Sequence, residues 1–279
     1  MYKVNQMCSQ EYRIASFIIP FASRAYAKNW DLACLHLNQT LKSILNSEDD
    51  RLSVIVVGND HPGNSLPSDH RVHFTTAPCL ESIGNLRDTA TMVKDQITKM
   101  EIGWEYVQKH FPAKYVMRMD ADDFLSRKVV GFLASENKPG YRVSDGWIWN
   151  SGDRWFIEKT ERFDLLCGSS NVFRFDVAAN SVDIQKICNP LPDHIKVAIP
   201  DLKSTLITNR FHAFAGKAME INGLKIEQIP FQAAVYRVGN LNSEMQRTVK
   251  SHSLRFLLGR IRRLRFITPS IRNEFCIKS

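Results

Sequence analysis

Lys114-Tyr-Val-Met-Arg-Met-Asp-Ala-Asp-Asp123 is a short apolar run that delivers three carboxylates to its carboxyl end. Three acids in four positions repel one another unless a cation or hydrogen-bond donors compensate. Carboxylates on a loop at a strand end suit a hard divalent cation, Mn²⁺ or Mg²⁺, which takes oxygen ligands and fills its shell with water and phosphate. Whether this stretch is a site or a plain turn depends on what surrounds it.

Upstream, Ile14-Ala-Ser-Phe-Ile-Ile-Pro20 is an apolar run rich in β-branched residues and closed by proline, which predicts a buried strand. From Trp30, apolar residues recur at Cys34, Leu37, Leu41, Ile44 and Leu45, the stripe of an amphipathic helix. Leu52 to Val57 predicts a second buried strand, ended by the turn-rich Gly58-Asn-Asp-His-Pro-Gly63. Strand, helix and strand in this order imply a right-handed crossover and a parallel sheet. Arg71 to Thr75 fits a third strand. The spacing of Leu86, Ala90, Val93, Ile97, Met100, Trp104, Val107 and Phe111 fits one long helix, or two in series with a break near Gly103.

The fold class expected is therefore α/β, a Rossmann-like and mostly parallel central sheet flanked by helices. In such sheets ligands gather outside the carboxyl ends of the strands. Here those ends are Pro20 to Arg24, Gly58 to Asp60 and Asp120 to Asp123, along one edge. Past residue 135 the α/β rhythm weakens. Trp147, Trp149 and Trp155 stand among polar residues, Val172 to Phe175 and Leu224 to Val238 read as strands, and Leu202 to Phe214 reads as helical.

Composition narrows the class. With 44% hydrophobic and 24% charged residues, the chain has the balance of an ordinary soluble enzyme. No apolar run approaches the roughly 18 residues needed to cross a bilayer, and Met1 to Arg13 is polar, so a cytoplasmic protein is expected. Six dispersed cysteines without a Cys-x-x-Cys pair argue for reduced, mostly buried thiols. The net charge of +8 is local: residues 250–279 hold eight basic residues against Glu274 alone. The body has no nucleic-acid footprint, and no nucleic-acid partner is expected. In that tail Leu254, Leu257, Leu258, Ile261, Leu264 and Ile267 alternate with arginines at helical spacing. The pattern predicts a basic amphipathic helix, either lying on an anionic membrane surface at its inner face or packed on the domain.

Rival acidic motifs fail on spacing. A calcium-binding EF-hand loop opening at Asp120 needs glycine sixth and glutamate twelfth, where the chain has Leu125 and Gly131. A phosphoryl-transfer Asp-x-Asp motif continues to Thr or Val, where Phe124 stands. Gly-x-Gly-x-x-Gly and the P-loop are both absent, which argues against a dinucleotide oxidoreductase or P-loop NTPase.

Ile14 to Arg24, Ser53 to Val57 and Tyr115-Val-Met-Arg-Met-Asp-Ala-Asp-Asp-Phe124 together resemble family 2 glycosyltransferases of the GT-A fold, over roughly residues 12–240. Gly168-Ser-Ser-Asn-Val-Phe173 looks like that family's small-residue loop near the acceptor. The chain departs from the pattern at Ser23, where the family has Asn, and at Gly58-Asn-Asp60, where it has an immediate Asp pair. The resemblance implies a metal-dependent, inverting transfer of a sugar from a nucleotide-diphosphate-sugar donor to a hydroxyl on a glycan or lipid-linked glycan. It divides the chain into a nucleotide-sugar-binding half (1–135), an acceptor-side half (136–249) and the basic tail (250–279).

By the same resemblance Asp120 contacts the donor, with Pro20, Phe21, Ser23, Arg24, Asn59, Asp60 and Ala121 around it. Lys99 either approaches the diphosphate or lies on a solvated helix face. Asp122 and Asp123 hold the metal, and His212 either completes the shell, with His194 competing for that place, or is a structural histidine. Asp193 and Asp201 both stand where the family places the base. Ser169, Ser170 and Asn171 line the acceptor, and Trp147, Trp149 and Trp155 either stack on sugar rings or pack in the core. Two rivals remain, a nucleotidyltransferase on a similar sheet and a catalytically inactive GT-A-like binding or scaffold protein.

Overall fold

The computed structural model describes residues 12–78, 89–187, 203–208, 212–239 and 261–277. In chain order the first half comprises β1 (Arg13–Pro20), α1 (Trp30–Leu45), β2 (Leu52–Gly58), β3 (Val72–Thr76), α2 (Thr89–His110) and β4 (Ala113–Arg118). Then come β5 (Phe124–Leu125), α3 (Val129–Ser135), β6 (Gly140–Arg142), β7 (Gly146–Asn150), β8 (Phe156–Thr160), β9 (Asn171–Arg174), α4 (Phe175–Ala178), β10 (Ser181–Asp183) and α5 (Ile184–Ile187). The chain ends with β11 (Lys203–Thr205), α6 (Ala215–Ile221), β12 (Glu227–Gln228), β13 (Ala234–Val238), β14 (Leu264–Phe266) and α7 (Pro269–Phe275).

The main sheet has seven strands in the order β12-β6-β9-β4-β1-β2-β3. β1 pairs in parallel with β2 and β4, β2 with β3, and β6 with β12, while β9 runs antiparallel to β4 and β6. The architecture is thus α/β, with a mixed and mostly parallel sheet flanked by helices.

The continuous apolar runs of β1 and β2 follow from burial on both faces. Phe17 and Ile19 join Val54 and Val56 beneath Leu37, Leu41 and Ile44 of α1 and Val129, Val130 and Leu133 of α3. Ile18 joins Ile55 and Val57 on the other face, beneath Val93, Met100, Trp104 and Val107 of α2. Each such side chain contributes about 1.5–3 kcal/mol by leaving water. Asn29 caps α1, its Oδ1 accepting from Leu32 N at 2.9 Å.

Gly103 does not break the helix. α2 runs through it, and a Cβ there would meet Ile18 Cγ2 at 2.4 Å and Val57 Cγ2 at 3.0 Å. The glycine lets the helix lie against the sheet.

A second sheet, β14-β8-β7-β13-β5, stands beside the first. β13 pairs with β5, which follows the acidic loop directly, and with β7. Two sequence expectations change here. Residues 203–205 form a strand paired with β10, and His212–Phe214 is a short 3-10 turn, so the expected helix over 202–214 is absent from the described part of that stretch. The expected tail helix lies outside the described residues up to 260, and past it Leu264–Phe266 is an edge strand antiparallel to β8. Leu264 and Ile267 share a three-residue spacing because one lies in the strand and the other enters a core. Ile267, Phe275 and Ile277 pack with Phe124, Trp149, Ile157 and Val235. No helix among the described residues is long and apolar enough to cross a membrane.

Candidate functional site

Because β1, β2, β3 and β4 run parallel, their carboxyl ends open on one edge, and the loop from Asp120 to Asp123 lies there. Its backbone is fixed from both sides. Thr40 Oγ1 donates to Ala121 O at 3.0 Å, and Leu125 N donates to Ser43 Oγ at 3.1 Å, both partners lying on α1. From the 167–169 turn, Ser169 Oγ accepts from Asp120 N at 2.8 Å and donates to Asp123 Oδ2 at 2.6 Å. The Cys167 thiol donates to the same oxygen at 2.7 Å, and Arg237 N donates to Asp123 Oδ1 at 3.3 Å.

The three acids therefore differ. Asp123 is fully buried with both oxygens accepting hydrogen bonds, while Asp120 and Asp122 are partly exposed. Burial pushes the Asp123 carboxyl well above the usual range, and the charges of Asp122 and Asp120 push it further. Burial and the Asp123 and Asp120 charges likewise raise Cys167, so it is a thiol donor and not a thiolate. Arg118 Nη2 reaches Asp120 Oδ1 at 3.0 Å. Gly168 lets that carboxylate sit where it does, since a Cβ would lie 2.6 Å from Asp120 Oδ2.

Asp120, Asp123 and Cys167 each bring one ligand atom within 4.8 Å of the others, a candidate acidic metal site among the described residues. The donor set fits a hard divalent cation through its carboxylates and not through its thiol. Asp123 is buried and already accepts three hydrogen bonds, two on Oδ2 and one on Oδ1, which leaves one acceptor position for a cation. Asp120 and Asp122 carry no such burial cost, and the mutual repulsion that raises Asp123 is what a cation relieves.

Arg237 on β13 has no counterpart in the sequence reading. Its side chain is fully buried, with the guanidinium carbon 4.5 Å from the Phe124 ring centre and 5.4 Å from that of Trp149. Its Nε and Nη2 have no hydrogen-bond partner. Burial pushes the guanidinium down to about 10, and attraction to Asp122 and Asp123 offsets part of that. The Arg237 charge also reaches His36 of α1, which is held down at about 4 by burial first and by that charge second. The only signal in the sequence was a lone arginine in the apolar run Ala233-Ala-Val-Tyr-Arg-Val238.

Along the same edge, the loops after β1, β2 and β3 are tied together. Arg24 N donates to Asp60 Oδ2 at 2.8 Å, and Asn59 Nδ2 donates to the carbonyls of Ala77 at 3.3 Å and Pro78 at 2.8 Å. Asn59 Oδ1 is buried with no partner among the described residues. Ser23 is buried, and its Oγ accepts from Tyr26 N at 3.3 Å, closing a turn. Pro20 and Phe21 line an open pocket of about 120 Å³ with Met92, Asp95, Gln96 and Lys99. Lys99 is 1% exposed and paired with Asp95, which corrects the expectation of a solvated helix face. Arg24 stacks over Trp30 at 5.2 Å beside a separate cleft that includes His61.

On the acceptor side, Ser169 and Ser170 are wholly buried and brace the acid loop and their own turn. Asn171 and His212 line a small pocket with Arg118 and Gly168, and Asn171 Nδ2 donates to His212 O at 3.0 Å. His212 is outside the acidic group described above. Trp149 is a core residue whose Nε1 donates to Asp153 O at 2.8 Å, Trp147 is partly buried against the same core, and Trp155 is 69% exposed. Asp193, His194 and Asp201 lie outside the described residues.

Among solved structures, this chain is similar to the crystal structure of S. aureus TarS 1-349, with a TM-score of 0.41 and 10% identity over 80% of this chain and 60% of that one. The chain therefore spans less than two thirds of that structure's length, and a likeness at this level assigns no activity and no residue roles. No protein-family model and no curated protein matches the sequence.

Proposed function

We propose that the chain is a metal-dependent glycosyltransferase of the GT-A type that moves a sugar from a nucleotide-diphosphate-sugar to a hydroxyl acceptor, with inversion. The observation that carries this reading is the shared edge. Parallel strands end side by side in the Pro20–Phe21 pocket, the Asn59–Asp60 latch and the acidic loop, an arrangement that suits an extended ligand with a charged centre.

In this reading the nucleotide lies against Pro20, Phe21 and the Asn59–Asp60 turn, whose unpartnered Asn59 Oδ1 offers an acceptor. Asp120 and Asp122 hold Mn²⁺ or Mg²⁺. A divalent cation there neutralises charge building on the departing diphosphate. Asp123 holds the loop in shape through Ser169, Cys167 and Arg237. Asn171, His212 and Arg118 face the acceptor, a glycan or lipid-linked glycan, and the base is Asp193 or Asp201.

A peripheral position at an anionic membrane surface is part of the proposal. Trp155, Phe156, Ile261 and Phe266 are exposed around the β8–β14 edge, with Phe156 and Phe266 ring centres 5.0 Å apart and Arg262 and Arg265 alongside. Aromatic and basic residues together suit that interface.

Thermal unfolding of the purified chain with nucleoside diphosphates, with and without Mn²⁺, tests the proposal. Binding to the folded state alone raises the midpoint by mass action. We expect a Mn²⁺-dependent rise with one nucleotide, lost in Asp122→Ala. No rise with any nucleotide sinks the donor site and favours a scaffold.

A further inference from the structure

We infer that Arg237 is a positioning residue whose fixed charge sets how strongly the Asp120–Asp123 loop holds a divalent cation. The inference rests on the metal reading above and adds a residue to it.

Four observations converge. Arg237 is completely enclosed, so water cannot screen its charge as it would at a surface. The rings of Phe124 and Trp149 both lie against the guanidinium, at 4.5 and 5.4 Å. The acids that attract it are Asp122 and Asp123, both in the candidate loop. Its backbone N–H also holds Asp123 Oδ1, so one residue couples loop shape to loop charge.

A buried guanidinium with Nε and Nη2 unpaired is costly, and burial against two aromatic rings repays only part of that. A neutral side chain of similar volume would fill the space more cheaply. What a neutral side chain lacks is the charge. Acting on Asp122 and Asp123, that charge lets the loop form without a bound cation, and it lowers the loop's pull on any cation that arrives. A loop with a resident counter-charge exchanges its metal; the same loop without one retains it. The enclosed guanidinium is not placed to touch a ligand, so Arg237 acts through the loop and not on the reacting atoms.

The test is Mn²⁺ binding to the full chain, read by the electron paramagnetic resonance of free Mn²⁺, for the native protein, Arg237→Met and Arg237→Lys. Circular dichroism and the unfolding midpoint identify the folded variants. We expect Arg237→Met to bind Mn²⁺ on the order of tenfold more tightly than the native chain, and Arg237→Lys to stay within about threefold of it. A packing role gives a different pattern, because both variants then loosen the loop and both bind Mn²⁺ more weakly. Native-like or weaker binding by folded Arg237→Met overturns the inference. If Met does not fold, Arg237→Gln replaces it; if neither neutral variant folds, a loss beyond threefold in Arg237→Lys overturns it. Absence of Mn²⁺ binding by the native chain counts against the metal reading itself, whereas native binding with an unmoved affinity in folded Arg237→Met counts only against the role of Arg237.

Discussion

Lys99 and Arg237, the two most deeply buried cations among the described residues, are neutralised in opposite ways. Lys99 lies on α2 four residues after Asp95, and the pair closes on itself within one helical turn. Arg237 lies on β13, and the acids facing it belong to a loop more than a hundred residues earlier in the chain. The local pair is satisfied wherever its helix forms. The long-range one is satisfied only when β13, α1 and the acidic loop have all assembled. A pair joined by a direct hydrogen bond presents less net charge to its surroundings, while a cation with no hydrogen-bonded carboxylate among the described residues projects its charge onto the loop it faces.

The largest expected effect separates the two cations by what breaks. Lys99→Met strands Asp95 in a buried position, and losing one partner of a buried pair costs about 3–5 kcal/mol. Urea unfolding should show that loss, and Lys99→Met/Asp95→Leu should recover most of it, since apolar replacement of both partners is nearly neutral. Mn²⁺ affinity should stay at the native value in the folded double variant. A change there as large as in Arg237→Met would end the distinction, because the closed pair would then also be acting on the acidic loop.

His36 also reports the Arg237 charge. Its folded value is about 4, below the ordinary 6.5, because of burial first and Arg237 second. Below pH 6.5 the unfolded chain takes up a proton that the folded chain refuses until about pH 4. Stability from this group is thus complete above pH 6.5 and falls away towards pH 4, by about 3 kcal/mol. His36→Gln should flatten that part of the stability–pH curve. In folded Arg237→Met the imidazole should titrate higher by nuclear magnetic resonance, though still below 6.5 because burial remains. An unmoved His36 would separate the two side chains electrostatically and leave Arg237 a smaller reach than inferred.

The contrast between local and distant partners also explains what could be read from the sequence. The apolar runs of β1 and β2, the stripe of α1 and the carboxylates after β4 are local patterns, and each element lies within a residue or two of its expected place. The second sheet is built from strands of two to five residues that pair across long separations, so no window of sequence holds their period. Leu264 and Ile267 looked helical for that reason. Lys99 looked solvated because its partner's burial depends on the β1 loop packing over α2. Asp123 and Ser169 were both singled out, but as metal and acceptor ligands. Their bond to each other spans 46 residues and leaves no trace in spacing. Arg237 was missed because a strand arginine ordinarily faces solvent, and only the rings of Phe124 and Trp149 make its burial tolerable.

A part-buried pair that solvent still reaches supplies the lower bound of the comparison. Arg71 grips Asp69 through two hydrogen bonds, Nε to Oδ1 at 3.0 Å and Nη2 to Oδ2 at 2.8 Å, with its backbone N–H adding a third at 2.9 Å. These bonds hold the Asp69 carboxyl down at about 2. The geometry is better than anything Arg237 has, yet solvent reaches both partners and takes back most of the gain. Because the folded value is depressed, the stabilisation is present above the ordinary 3.8 and disappears as pH falls towards 2. Asp69→Asn should cost about 0.5–1 kcal/mol at neutral pH, and the cost should shrink in 1 M salt, where screening falls to about 3 Å. The ratio of Mn²⁺ affinities between Arg237→Met and the native chain should persist in the same salt, since the guanidinium is enclosed. Equal salt sensitivity at the two sites would mean that enclosure does not set the strength of the Arg237 field, and burial would then lose its place as the reason one arginine can act on the acidic loop and the other only on its neighbour.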